Sequence, residues 1–410
     1  MRRRGGHRAG HVLGGCHRRG DVQGLDRRPR RRAPHRRRHG VHDRLRAPRH
    51  RGAAPAGRRR SRHRADRRPG VVGVHAVVLV GGFGTRLRPL TRATPKPLLP
   101  MGNVPMLERL MAWLARGGVS DAVLSLGFRP EPFLAAFPDH RCAGVRLSYA
   151  VEDRPLDTAG AIGFAAREAG IARRGETFLV ANGDILTDLD VAGLVARHRA
   201  LGGEGTIHLT HVDDPSQYGV VECDAAWRVL RFHEKPAPGT APASHWVNGG
   251  TYVFEPAALA RMPGTEPLSI ERATFPAMVA DGALRAHATH DRWADVGRPE
   301  TYIRANLDLL GRDVRPPCVA VAPGARVAAD AVLDRAVVGD GCEVAAGAVV
   351  RESVLLPGAR VGAHAVVERS AVMGEIGAHA RVEGCVVGAG HAVASGASLR
   401  GAKVPSEDAT

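Results

Sequence analysis

The run Gly81-Gly82-Phe83-Gly84-Thr85-Arg86-Leu87, followed shortly by Pro95-Lys96-Pro97, has the residue types needed to hold a polyphosphate. Glycines let backbone N–H groups approach phosphate oxygens with no Cβ in the way. Arg86 offers a rigid fork of donors, and Lys96 adds a mobile positive charge. The run lacks the Gly-Lys-Ser/Thr of a Walker A loop and the GxGxxG of a dinucleotide fold. Two carboxylates lie far along the chain, Asp184 in Ala181-Asn182-Gly183-Asp184 and Asp295 in Trp293-Ala294-Asp295-Val296-Gly297. Acids brought together from distant segments can share a hard cation such as Mg²⁺, which prefers oxygen ligands and keeps phosphates in its shell. Asp188 and Asp190 form an Asp-x-Asp pair, and Asp190 reads as the N-cap of the helix after it. Only three lysines occur in the chain, Lys96, Lys235 and Lys403, and Lys235 stands in Glu234-Lys235-Pro236.

These residues need a scaffold, and the pattern around them supplies one. His75–Val80 is a continuous apolar run bounded by glycines, as in a buried parallel strand. A helix is expected at Met106–Arg116, between Pro105 and Gly117-Gly118. Further strands are expected at Asp121–Leu126, Val145–Tyr149 and Thr177–Ala181, with a helix at Thr158–Ala169. Alternating strands and helices argue for an α/β layer with a mainly parallel sheet. Asp184 then sits just past the C-terminal end of a strand, where ligands gather in such sheets. Thr206–His211, Gly219–Cys223, Trp227–Phe232 and Trp246–Phe254 suggest an antiparallel extension, and helices at Ile270–Ala280 and Pro299–Leu310 close the domain.

After Pro316-Pro317 the sequence repeats every 17 residues. Aliphatic residues recur at Val321, Val327, Leu333; Val338, Val344, Val350; and Leu355, Val361, Val367, with a shortened fourth unit around Ile376, Val382 and Val387. A hexad-spaced ladder with three faces per turn fits a solenoid of parallel strands, and it resembles the left-handed β-helix of hexapeptide repeats. His364 and His379 would be candidates for acyl-transfer chemistry, but no acyl-donor motif accompanies them and they read as outward corners.

The stretch from Leu79 to Pro100 resembles the signature of the nucleotidyltransferases that make NDP-sugars, and the likeness continues in order over roughly residues 75–310. It is carried by TPKPLLPMGNVPMLE, PLDTAGAIGFAA, NGDILTDLD, PSQYGVV, FHEKP, VNGGTYVFEP, PLSIERATFPAMVADG and RWADVGRPETY, and it is most similar to the mannose-1-phosphate guanylyltransferase branch. The resemblance implies an enzyme that joins a nucleoside triphosphate to a sugar-1-phosphate and releases pyrophosphate, making GDP-mannose in that branch. The alternatives are a glucose-1-phosphate uridylyl- or thymidylyltransferase and a non-catalytic subunit that binds NDP-sugar. It implies that Arg86, Lys96 and Lys235 are catalytic, that Asp184 and Asp295 hold Mg²⁺, and that Leu79, Gly81, Gly82, Gly84, Thr85, Thr158, Gly160 and Asp184 meet the nucleotide. Glu234, Lys235, Asn248 and Gly249 would hold the sugar phosphate, with Glu271 approaching the sugar. The second base loop corresponds to Leu156–Gly160, where Asp157 replaces the glycine common in guanylyltransferases; Thr158 and Gly160 also open a helix, where capping is the alternative role.

The expected layout is therefore a Rossmann-like mixed sheet at 74–314, a short left-handed parallel β-helix at 315–400 and a tail at 401–410. The formal charge of +18 does not bear on this core. Residues 1–70 hold 25 Arg and four acids, a net +21, and the remainder carries −3. Residues 1–73 read as a disordered extension or a start assigned too early, because so few apolar residues cannot offset the entropy of folding. No aromatic residue interrupts the Arg runs to stack on bases, which argues against nucleic acid. Six scattered cysteines form no CxxC pair, so neither zinc nor a disulfide framework is expected. There is no run of 18 apolar residues and no secretory h-region, so a cytoplasmic, non-membrane protein is expected, as a homo-oligomer joined or buttressed by the solenoid.

Overall fold

The computed structural model describes residues 74–127, 130–235 and 244–406. The basic extension, residues 1–73, lies outside them.

The apolar run after residue 74 becomes the centre of the sheet. His75–Leu79 is parallel to Phe178–Asn182 on one side and to Asp121–Leu126 on the other, and Asp121–Leu126 is parallel to Val145–Val151. A strand buried on both faces feeds two cores by alternation. Ala76 and Val78 face the helices Met106–Arg116 and Val191–Leu201 through Leu107, Leu110, Leu114, Leu194 and Val195. Val77 faces the helix Asp157–Glu168 through Ala159, Ile162 and Ala166. All four parallel strands present their C-terminal ends along one edge, so the loops after Leu79, Leu126, Val151 and Asn182 meet there.

The sheet continues in antiparallel fashion. Trp246–Phe254 pairs with Phe178–Asn182, then forks to Gly205–His211 and Gly219–Cys223. Val229–Glu234 completes the fork, two residues later than the sequence suggested. The shift has a local cause: the Asp224 carboxylate accepts the N–H groups of Ala226 and Arg228, making a turn through Trp227 at φ 62°. Further strands were not anticipated. Leu284–Thr289 runs parallel to Gly205–His211, and Trp293–Asp295 forms a two-stranded ribbon with Ile185–Thr187. The expected helix at 270–280 begins as a π-turn, Ile270–Thr274, before the α-helix Phe275–Ala280, and the last helix ends at Leu307 rather than at residue 310.

The 17-residue ladder forms three parallel five-stranded sheets, consistent with a left-handed β-helix. The register matches the repeat: Val327, Val344, Val361, Ile376 and Val393 stack on one sheet, and Leu333, Val350, Val367, Val382 and Leu399 on the next. The third sheet carries Val338, Leu355, Val372, Val387 and Val404. The solenoid is therefore one coil longer than the sequence reading gave. Lys403–Val404, assigned to a tail, is its last strand. The shortened unit hid this coil, because the corner Met373-Gly374-Glu375 breaks the hexad phase. Gly374 is required there: a Cβ would lie 2.2 Å from the carbonyl oxygen of His391.

One face of the solenoid is covered by the α/β domain. Val337, Val354, Ala371 and Val386 point away from the solenoid interior and join Leu87, Leu90, Leu99, Met101, Tyr302 and Ile303 in one apolar cluster. Polar groups fix the junction. Asn103 donates to the carbonyls of Val319 and Val338, at 2.8 and 2.9 Å, and the Arg109 guanidinium donates to those of Met101 and Pro316, both at 2.6 Å. Gly388 abuts the signature loop, since a Cβ there would stand 2.8 Å from Pro89 Cβ. Gly388→Val should therefore cost about 1–3 kcal/mol by overpacking. Scanning calorimetry should record a fall in melting temperature of about 2–6 °C. An unchanged melting temperature would show that the two faces do not press together.

Candidate active site

Close backbone packing shapes the glycine loop. A Cβ on Gly81 would lie 2.7 Å from the backbone nitrogen of Gly127, so the loops after the first two strands touch through bare backbone. Gly84 takes φ 60° and leads into the 3₁₀ turn Thr85–Leu87 that carries Arg86. Lys96 opens a second 3₁₀ turn and is only 7% exposed. Its Nζ lies 2.7 Å from Asp184 Oδ2.

Asp184 occupies the turn between Phe178–Asn182 and Ile185–Thr187. In the ribbon Asp295 stands opposite Ile185, and the N–H of Val296 donates to the carbonyl of Asp184 at 3.2 Å. Arg86 reaches the same place: a Cβ on Gly297 would sit 2.8 Å from both Arg86 Nη2 and Asp295 Oδ1. The structure thus brings Arg86, Lys96, Asp184 and Asp295 together from four separate segments. Burial, and then the negative charge of Asp184, push the Asp295 carboxyl above the usual carboxylate range, against the opposing pull of Lys96 and Arg86. Asp295 Oδ1 is buried with no hydrogen-bond partner. An orphaned carboxylate oxygen beside a second acid fits a hard divalent cation, whose charge would relieve both penalties.

Two joined cavities open along this edge. The first, about 330 Å³, is lined by Gly82, Gly84, Arg86, Lys96 and Asp184. The second, about 550 Å³, is lined by Phe83, Ser125, Glu152, Asp153, Asp157 and Thr158, and the two share Leu79, Gly81, Gly82 and Thr158. The smaller cavity is rich in cations, and the larger carries three acids against Arg154. Glu152 is the residue that the sequence reading missed. It is 8% exposed, and its carboxylate accepts Ser125 Oγ at 3.1 Å and the N–H of Leu156 at 2.9 Å. Its position three residues ahead of the motif PLDTAG was the available signal.

The other expected residues have these surroundings in the fold. Thr158 does not cap its own helix: its hydroxyl donates to Glu271 Oε2 at 2.8 Å and accepts the N–H of Ile270 at 2.8 Å. Gly160 lines neither cavity. A Cβ there would come within 2.6 Å of the carbonyl oxygen of Glu266, so packing demands the glycine. Asp157 adopts φ 55° and accepts its neighbour's N–H at 2.7 Å; glycine adopts this left-handed conformation freely, and aspartate tolerates it. Asp190 occupies the N-cap position without a side-chain capping bond. Asp188 pairs bidentately with Arg292, at 2.9 and 3.0 Å. His364 and His379 stack on each other, 5.2 Å apart, at exposed corners of the solenoid.

On the far side of the acid pair, Asn248 donates to Tyr252 Oη at 3.0 Å and accepts the N–H of Gly250 at 2.9 Å. The carbonyl of Gly249 accepts Trp293 Nε1 at 2.9 Å, and Trp293 meets Tyr218 edge-on. Burial raises the Tyr252 hydroxyl, and Glu271, Glu234 and Asp184 add to that shift, so those acids share its surroundings. Glu234 pairs with Lys235 at 2.8 Å, and Lys235, at φ 47°, is 62% exposed at its side chain and lines neither cavity. Tyr218 and Trp293 were not singled out, although both stand in motifs quoted for the resemblance.

The pattern of the nucleotidyl transferase family matches residues 75–312, more than half of the chain. The chain belongs to that family. The pattern of the GMPPB C-terminal domain matches residues 315–408, the solenoid of this transferase. A mannose-1-phosphate guanylyltransferase of Mycobacterium tuberculosis is 37% identical over 277 residues, which is 64% of this chain and 75% of the relative. A mannose-1-phosphate guanyltransferase of Schizosaccharomyces pombe is 40% identical over 252 residues, covering 60% and 68%. Among solved structures, a Bacillus anthracis protein described as a glucose-1-phosphate thymidylyltransferase is similar with a TM-score of 0.52 and 25% identity, over 59% of this chain and 96% of that one.

The raised Asp295 carboxyl has a definite sign. Its ionised form is less favourable in the fold than in the unfolded chain, so it costs stability once the pH rises from the ordinary carboxylate value through the raised one. At neutral pH, without divalent metal, Asp295→Asn should raise the melting temperature of the transferase by about 2 °C. Added Mg²⁺ should raise the melting temperature of the parent protein and leave that of Asp295→Asn unchanged. A lower metal-free melting temperature would mean that Asp295 is stabilising as it stands.

Proposed function

We propose that the protein transfers a guanylyl group from GTP to mannose-1-phosphate, giving GDP-mannose and pyrophosphate. The observation that carries the choice of base is the buried carboxylate of Glu152 in the acidic cavity. A carboxylate only accepts hydrogen bonds. Guanine offers two adjacent donors on one edge, N1–H and the N2 amino group. Uracil and thymine offer one N–H flanked by two carbonyl oxygens, which an acid repels. Glu152 keeps free lone pairs beyond those used by Ser125 and Leu156.

The triphosphate lies along the glycine loop, with Arg86 and Lys96 beside it. A phosphate oxygen of the sugar attacks the α-phosphorus in line and pyrophosphate leaves. The nucleophile is already an anion, so no general base or covalent enzyme intermediate is needed. Arg86 and Lys96 neutralise the departing charge, and rate comes from positioning and fixed charge. Asp184 and Asp295 would hold a divalent cation, Mg²⁺ in this reading, which when bound supplies positive charge to the phosphate oxygens. Asn248 and Glu234 receive the sugar, and Lys235 swings from Glu234 to its phosphate. The convergence of both cations on both acids supports an enzyme over a non-catalytic NDP-sugar-binding subunit.

A pyrophosphate-release assay over GTP, UTP and dTTP, each with mannose-1-phosphate and glucose-1-phosphate, tests this. GTP with mannose-1-phosphate should be the preferred pair, and a different preferred pair overturns the assignment. Arg86→Ala should lower kcat by about 10²–10³-fold while the melting temperature is kept. Glu152→Gln should cut the ratio of kcat/KM for GTP over UTP by about 100-fold, because the amide now presents a donor as well. An unchanged ratio would remove Glu152 from base recognition.

A further inference from the structure

At the other end of the ribbon that carries Asp295, beside the domain junction, lies a third cavity of about 260 Å³. Four arginines line it, Arg109, Arg116, Arg292 and Arg315, against two acids, Asp188 and Asp313. The guanidinium of Arg109 is buried and bonded only to neutral carbonyls, those of Met101, Gly102, Pro316 and Pro317. Those bonds satisfy its donors, and Glu108 beside it offsets part of its charge. Arg116 Nη1 likewise donates to the carbonyls of Ala112 and Arg315. Arg292 gives Nε and Nη2 to Asp188, while its Nη1 is buried with no hydrogen-bond partner. The cavity therefore has an excess of positive charge and a smaller volume than either cavity of the transfer site.

We propose that this cavity is a second anion site, which takes a phosphate dianion between Arg116 and Arg315, with the charges of Arg109 and Arg292 behind them. Inorganic phosphate and the phosphate of a small phosphomonoester present the same chemistry. Tetrahedral oxygens suit several guanidinium forks converging from different directions. The site bridges the linker at 313–315 and the helix Met106–Arg116, and Arg292 is three residues from Asp295. Its occupancy would tie the junction to the ribbon that holds the acid pair. This proposal does not rest on the transfer reaction.

Thermal melting of the full-length protein tests it, with inorganic phosphate as the probe and chloride at matched ionic strength as the reference. Phosphate at about 20 times its dissociation constant should raise the melting temperature by about 2 °C or more. The rise should persist in Arg86→Ala, whose phosphate-binding loss is confined to the transfer site. It should fall by at least half in the double variant Arg116→Gln/Arg315→Gln, which alters two solvent-exposed side chains and should fold normally. Repeating the titration with mannose-1-phosphate separates the sources: whichever compound acts at the lower concentration is the better ligand. Three results overturn the proposal: no rise in the parent protein, an equal rise in the double variant, or a rise lost in Arg86→Ala alone. The last would place all phosphate binding at the transfer site.

Discussion

The ammonium of Lys96 lies 2.7 Å from Asp184 in a nearly closed setting, with Asp295 alongside and one of its oxygens unpartnered. Two acids this close disfavour each other's charge, and two cations hold that tension in check. The balance exists only because the loop at 86–96 is brought beside Asp184 and Asp295, which lie far along the chain. The ribbon sets Asp295 opposite Ile185, the tight turn after Asn182 presents Asp184, and two short 3₁₀ turns bring in Arg86 and Lys96. Charges held this way need no rearrangement when an anion arrives, and that is the main source of electrostatic rate enhancement in enzymes.

The same edge carries opposite electrostatic character along its length. The cavity beside Lys96 is cationic, and the one beside Glu152 has three acids against Arg154. A nucleotide is itself polarised, anionic at one end and rich in N–H donors at the other when the base is guanine. The pocket therefore favours one direction of entry before any close contact forms. Gly81 and Gly127 make this possible, since side chains there would separate the two loops that join the cavities.

Much of this was legible in the sequence, for two different reasons. The phosphate and acid motifs were visible because chemistry restricts residue type: only lysine and arginine supply the charge, and in a chain with three lysines Lys96 and Lys235 stand out. The solenoid was visible because each inward residue stacks on the one 17 positions later, so geometry is written as a period. What was hidden depends on tertiary neighbours. Gly160 looked like a binding residue and is a packing residue, a distinction made by Glu266 more than a hundred positions away. Glu152 is one acid of an Asp/Glu pair until Ser125 and the Leu156 backbone bury it. The three-residue strand Trp293–Asp295 is too short to show a period, and the fifth coil was lost where a corner dropped out of phase.

The covered face of the solenoid has a consequence for how the chain is made. Leu87, Leu90 and Leu99 are buried against Val337, Val354 and Val386, partners synthesised about 250 residues later. On a ribosome the loop that carries Arg86 and Lys96 emerges early and stays uncovered until the coils follow. Contacts of such long sequence separation form late and slowly. The nascent chain must hold an apolar patch in water through most of its own translation, when it is most open to aggregation and to chaperone capture. Maturation of the reactive centre is thereby deferred until the C-terminal coils have been translated.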